Sequence, residues 1–153
     1  MRLVVLADTH LPRRAKDLPA EVWAAVEEAD AVLHAGDWVD VALLDELERR
    51  SARVIGVYGN NDGPALRARL PEVARATLGG APLATLLAAA YPDVDVLVFG
   101  HSHIPWDTTA PTGLRLLNPG SPTDRRREPD RTYLSVVAEG GALREITLHR
   151  LGP

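Results

Sequence analysis

The stretch Arg2-Leu3-Val4-Val5-Leu6-Ala7-Asp8-Thr9-His10 decides the fold. Its apolar run is short, β-branched and unbroken, so it reads as a strand buried on both faces, and it breaks straight into an Asp-x-His turn. The pattern recurs three times. Gly36-Asp37 follows an apolar segment at residues 31–35, Gly59-Asn60-Asn61-Asp62 follows residues 53–58, and Gly100-His101-Ser102-His103 follows residues 95–99. Four strand ends therefore deliver Asp, His and Asn side chains to one edge of a sheet. Carboxylate, imidazole and amide donors suit hard to borderline divalent cations, and the chain has no Cys for a soft thiolate site. That edge reads as a metal site.

Outward from these turns, the N-terminal half alternates strand and helix. Residues 19–26 form a helix with Val22, Val26 and Ala29 on its buried face, and residues 39–50 form another with Val41, Leu44 and Leu47 inward. Such β-α-β-α-β runs imply parallel strands with ligands at their carboxyl ends. A third helix is expected at residues 83–90. After Trp106 the helical periodicity disappears, leaving short strands at 114–117, 132–138 and 142–148, the last two joined by the hairpin signal Glu139-Gly140-Gly141. Two mixed sheets packed face to face and flanked by helices follow from this order.

The 153 residues suffice for a single domain, residues 1–153, with its own core. A net charge of −4 argues against general affinity for a nucleic-acid backbone, while a nucleotide substrate remains compatible. No apolar run approaches the roughly 18 residues of a membrane span, and Met1-Arg2 leads directly into a strand rather than a leader. A cytoplasmic protein, free of membrane partners, is the expectation.

Taken in order, these turns resemble those of the calcineurin-like metallophosphoesterase superfamily, and within it the YfcE-like group of small phosphodiesterases. The resemblance runs from Met1 to about Leu148 and includes Asn118-Pro119-Gly120-Ser121. It implies an α-β-β-α sandwich of four layers and a centre of two divalent ions. Asp8, His10, Asp37 and His103 would hold the first ion; Asp37 would bridge to the second, with Asn60 and His101. The resemblance gives Asp37, Asn60, Asn61 and His101 the catalytic positions. Many superfamily members carry at the position of Asn61 a His thought to assist the leaving group, and Asn there is also seen in the YfcE-like group. Mn²⁺ is the first choice, with Fe²⁺, Zn²⁺ or Ni²⁺ as alternatives, because mixed N/O ligands do not select among them. The substrate would be a small phosphodiester or nucleotide-like ester, and a homo-oligomer is compatible with this reading.

Each residue also has a plainer reading. Asp8 alone would be an Asx turn closing a strand, and Asp37 a helix cap. His101 and His103 could lie in a solvated loop. Asp62 reads as a structural residue holding its turn through backbone hydrogen bonds, and His34 as a core or supporting histidine. Asn118 and Ser121 could present polar groups to a phosphate. Arg125-Arg126-Arg127 reads as an exposed loop that could supply one phosphate clamp. Trp38 and Trp106 flank ligand positions and could form an apolar wall, although large aromatics are more often core.

One departure stands out. The family carries a further metal-binding His after a strand between the G-N-x-D and G-H-x-H turns, and here residues 62–100 contain no His. Leu78-Gly79-Gly80-Ala81-Pro82 leads directly into the expected helix, so either the protein has lost a core strand and its ligand turn there, or, the favoured reading, a flexible turn near the metals exists in the molecule beyond these residues. That loss favours an alternative of another class, a protein-interaction module without useful catalysis, as the retromer scaffold subunit of this family illustrates. The retained Asp8, His10, Asp37, Asn60, His101 and His103 oppose it.

Overall fold

Strand β1 (Arg2–Leu6) alternates its side chains between two cores, and this alternation organises the molecule. Leu3 and Val5 face a core between two sheets, together with Leu33, Val98, Leu117 and Val136. Val4 and Leu6 face the opposite way, against Val22, Trp23, Leu44 and Leu47 of the covering helices. Both faces are dry, as the uninterrupted apolar sequence requires.

The computed structural model describes residues 1–86 and 94–153. After β1 come α1 (Ala20–Glu28), β2 (Ala31–Ala35), α2 (Val41–Arg50), β3 (Val54–Val57) and α3 (Pro64–Arg69). The second half runs β4 (Val73–Leu78), β5 (Ala81–Leu86), β6 (Val96–Val98), β7 (Trp106–Thr109), β8 (Arg115–Asn118), β9 (Thr132–Glu139) and β10 (Ala142–Arg150). The first sheet has the order β10-β9-β1-β2-β3 and the second β4-β5-β6-β8-β7. β1, β2 and β3 run parallel, as do β5, β6 and β8, with antiparallel strands completing each sheet. The expected pair of mixed, face-to-face sheets is present, with the described helices on the outer face of the first. Among the described residues, no helix is long and apolar enough to cross a membrane.

Two expectations are overturned. Residues 83–86 belong to β5 rather than to a helix, and residues 87–90 of the expected helix lie outside the described residues. Nor is a strand missing between Leu78 and Pro82. Leu78 pairs with Ala81 across a two-residue turn, so β4 and β5 form a hairpin and β5 pairs in parallel with β6. Gly79 and Gly80 both have positive φ, the geometry a two-residue hairpin favours. The Ala- and Leu-rich composition favours helix locally, and over residues 83–86 pairing with β4 and β6 overrides it.

Candidate metal centre

Seven non-glycine residues among those described have left-handed backbone, and five of them are Asp8 (φ 53°), His10 (45°), Asp37 (60°), His101 (77°) and His103 (60°). Each such residue costs about 1–2 kcal/mol, so the surroundings must hold it in place. The turns hold one another. The amide of Asp8 donates to the Gly36 carbonyl at 3.0 Å and that of His10 to the Asp37 carbonyl at 3.0 Å. The His101 amide donates to both carboxylate oxygens of Asp8, at 2.9 and 2.8 Å. Asp62 accepts from the amides of Asp37 (3.1 Å), Val39 (2.7 Å) and Gly59 (2.7 Å), the structural role expected of it.

Asp37 is fully buried. Asn61 donates to it twice, from its backbone amide to Oδ1 at 2.9 Å and from its side-chain amide to Oδ2 at 3.0 Å. The cap of α2 is Asp40, not Asp37, so the Asp37 carboxylate is not occupied by a helix end. Gly59 packs against it so closely that a Cβ there would run into Oδ1.

His10 and His103 face each other with Nε2 atoms 3.1 Å apart. The Nδ1 of His103 lies 2.6 Å from the Asp124 carbonyl, which can only accept, so Nδ1 carries the proton and Nε2 offers its lone pair inward. Two nitrogens at about 2.1 Å from one cation, at cis or tetrahedral angles, sit roughly 3.0–3.4 Å apart. The observed gap fits shared ligation. Burial holds both imidazoles below their usual pKa, which keeps them neutral and able to ligate. Asp8 completes the group: one donor atom from each of Asp8, His10 and His103 lies within 4.8 Å of the others. Burial, assisted by repulsion from Asp37, pushes the Asp8 carboxyl up to about 7, against the His101 amide. A buried carboxyl raised this far is short of positive charge, which a divalent cation would supply.

Beside this group, His101 Nδ1 lies 3.1 Å from Asn60 Oδ1 and 4.0 Å from Asp37 Oδ2. His101 and Asn60 are exposed, in contrast to the buried trio. All six expected ligands thus lie on the turns following β1, β2, β3 and β6; Asp37 falls outside the close group of Asp8, His10 and His103 and approaches His101.

The sequence matches the calcineurin-like phosphoesterase superfamily domain over residues 1–141. The chain belongs to the calcineurin-like phosphoesterase superfamily. A protein of Methanocaldococcus jannaschii named "Probable metallophosphoesterase" is 36% identical over 80% of this chain and 69% of its own length. A "Phosphodiesterase" of the same organism is 36% identical over a shorter stretch, 47% of this chain and 42% of its own. Among solved structures, a Thermotoga maritima protein has a TM-score of 0.77 at 30% identity, covering 98% of this chain and 99% of that one. Vps29 of Entamoeba histolytica complexed with Zn²⁺ has a TM-score of 0.78 at 20% identity over 99% of both chains, a likeness of fold alone.

Other residues of this calcineurin-like domain lie behind the centre. Asn118 and Ser121, expected to face a phosphate, are buried and bonded elsewhere. Asn118 donates to the Gly100 carbonyl (3.3 Å) and Ser102 Oγ (3.1 Å), and Ser121 Oγ donates to the Asp8 carbonyl at 2.8 Å. They brace the ligand turns and have no face open to substrate. Trp38 is no wall either: it is fully buried, stacks on His34 at 3.6 Å, and donates to the Val57 carbonyl. His34 lies beneath the first turn, with Nε2 3.0 Å from Thr9 Oγ1 and Nδ1 without a hydrogen-bond partner among the described residues. Trp106 is exposed on β7. Asp124, which orients His103, is not singled out by the sequence; it precedes a run of arginines and looks like any loop acid.

Proposed function

We propose that this chain is a divalent-metal-dependent phosphodiesterase with a two-ion centre, Mn²⁺ first among the candidates. The observation that carries this reading is the facing pair of His10 and His103 nitrogens beside the buried Asp8 carboxyl. In it, Asp8, His10 and His103 would hold one ion and Asn60 and His101 the other, with Asp37 contributing to both. Bound there, the ions would supply Lewis acidity, the chemistry that lowers the pKa of a water toward neutrality and draws charge from phosphoryl oxygens.

The chain's own groups set the rest. Asn61 clamps both oxygens of Asp37 and so fixes the shared carboxylate. With an amide at this position, the turn offers no imidazole to protonate a departing alkoxide. Diesters with acidic leaving groups should therefore react faster than alkyl esters. His101 and Asn60 are the exposed ligands of the six and face arriving substrate. A small phosphodiester substrate and a cytoplasmic location complete the proposal. The absence of His from residues 62–100 favours a weak or inactive interaction module as the second reading.

Metal analysis with assays of bis(p-nitrophenyl) phosphate and p-nitrophenyl phosphate separates the two. The diester should be turned over, chelation should abolish turnover, and Mn²⁺ should restore it. Asp37→Asn should lose most of the bound metal. Turnover unchanged after thorough metal removal, or two ions retained by Asp37→Asn, would overturn the proposal.

A further inference from the structure

Beside the ligand turn lies a cleft of about 370 Å³ lined by Ser102, Ile104, Arg125, Arg126, Arg127 and Glu128. Ser102 sits between His101 and His103, so this cleft adjoins the turn that carries both histidines. Its floor is built rather than loose. Asp124 anchors the loop by four contacts: its carbonyl to His103 Nδ1 (2.6 Å), its amide to Ser121 Oγ (2.9 Å), its carboxylate to Arg14 (3.2 Å) and to the Arg126 amide (3.3 Å). The last contact holds Arg126 at φ 50°. The loop that carries the arginines is thus tied to a metal-ligand histidine.

The charges are unspent. Arg125 donates to the Glu128 carbonyl, but the side chains of Arg126 and Arg127 make no hydrogen bond or ion pair among the described residues, and both are exposed. The positive charge of Arg126 reaches Asp8, His10 and His103 alike, which places it near the centre. By contrast, Arg49, Arg50, Arg69, Arg115 and Arg150 all pair with carboxylates. In a chain of net charge −4, two unpaired arginines beside a metal site answer to an anion. Exposed Ile104 adds an apolar wall.

We propose that the cleft is an anion subsite in which Arg126, assisted by Arg127, takes a second phosphate of the substrate while the scissile phosphodiester lies at the neighbouring ligand turns. The guanidinium fork matches phosphate oxygens in pairs, which a lysine does not reproduce. The preferred substrates are then phosphodiesters carrying a further phosphate on a compact body, a nucleotide bearing a 3′-phosphate being the simplest form. This inference rests on the phosphodiesterase reading for its catalytic half only.

The test pairs a binding measurement with a rate ratio. Calorimetry of the Mn²⁺-loaded protein should show thymidine 3′,5′-bisphosphate binding about tenfold or more tightly than thymidine 5′-monophosphate, as one charge-assisted contact would give. Arg126→Ala should erase that difference and Arg126→Lys should restore only part of it. In kcat/KM, the p-nitrophenyl ester of thymidine 5′-phosphate should gain by a similar factor on adding a 3′-phosphate, and the gain should vanish in Arg126→Ala. Equal binding of the two nucleotides by the unmodified protein, or a preference that survives Arg126→Ala, overturns the subsite. No turnover of either ester, with the binding preference intact and lost in Arg126→Ala, leaves the subsite standing and removes the phosphodiesterase reading.

Discussion

A carboxyl group without solvent and without a cation beside it resists ionisation. In the metal-free protein Asp8 is in that condition, its pKa raised from 3.8 to about 7 chiefly by burial. Between those values the folded protein keeps a proton that the unfolded chain has released. The stability Asp8 contributes is therefore full below its unfolded pKa and is lost as pH rises through about 7. His10 and His103, lowered from 6.5 by burial, work in the opposite sense: their contribution is present above 6.5 and lost as pH falls through their folded values. Comparison with Asp8→Asn isolates the carboxyl. In chelator, thermal melts from about pH 4 to about pH 8 should show the wild type losing stability relative to Asp8→Asn as pH rises. A pH-independent difference would contradict this. The ligand residue types are legible in the sequence because each turn ends a buried strand. Their supports, Asp124 and the His34–Thr9 contact, are fixed by tertiary approach and leave no local pattern.

At the scale of elements, the β4–β5 hairpin separates what the sequence states from what packing adds. Most strands announce themselves by β-branched runs, and the β9–β10 hairpin falls at the expected Gly140-Gly141. β4 and β5 do not, because Ala and Leu make up half or more of each and carry little strand preference. Their turn docks on the other sheet: Gly141 donates its amide to the Gly79 carbonyl at 2.9 Å, and a Cβ on Gly79 would run into the Ala138 carbonyl. Gly113 offers a control, since it also has positive φ but open space around it. Gly113→Ala should cost only the backbone term, about 1–2 kcal/mol, whereas Gly79→Ala should cost more and shift the urea midpoint further. Equal costs would mean that the two turns do not pack closely.

For the whole molecule, the strand order carries a consequence for biosynthesis. β1 lies between β2 and β9, and β9 is translated only after every candidate ligand. The Asp8 carbonyl and the Thr9 carbonyl wait for hydroxyls of Ser121 and Thr123, at 2.8 and 2.6 Å. The six ligands are all translated by residue 103, yet the geometry that aligns them depends on the segment that follows. A chain stopped before Thr132 should accordingly retain little Mn²⁺ in metal analysis, although it contains every ligand. On the proposed reading, cation loading would wait for the later strands to pack, and a chain translated only through residue 103 would hold no aligned site for a wrong metal to enter.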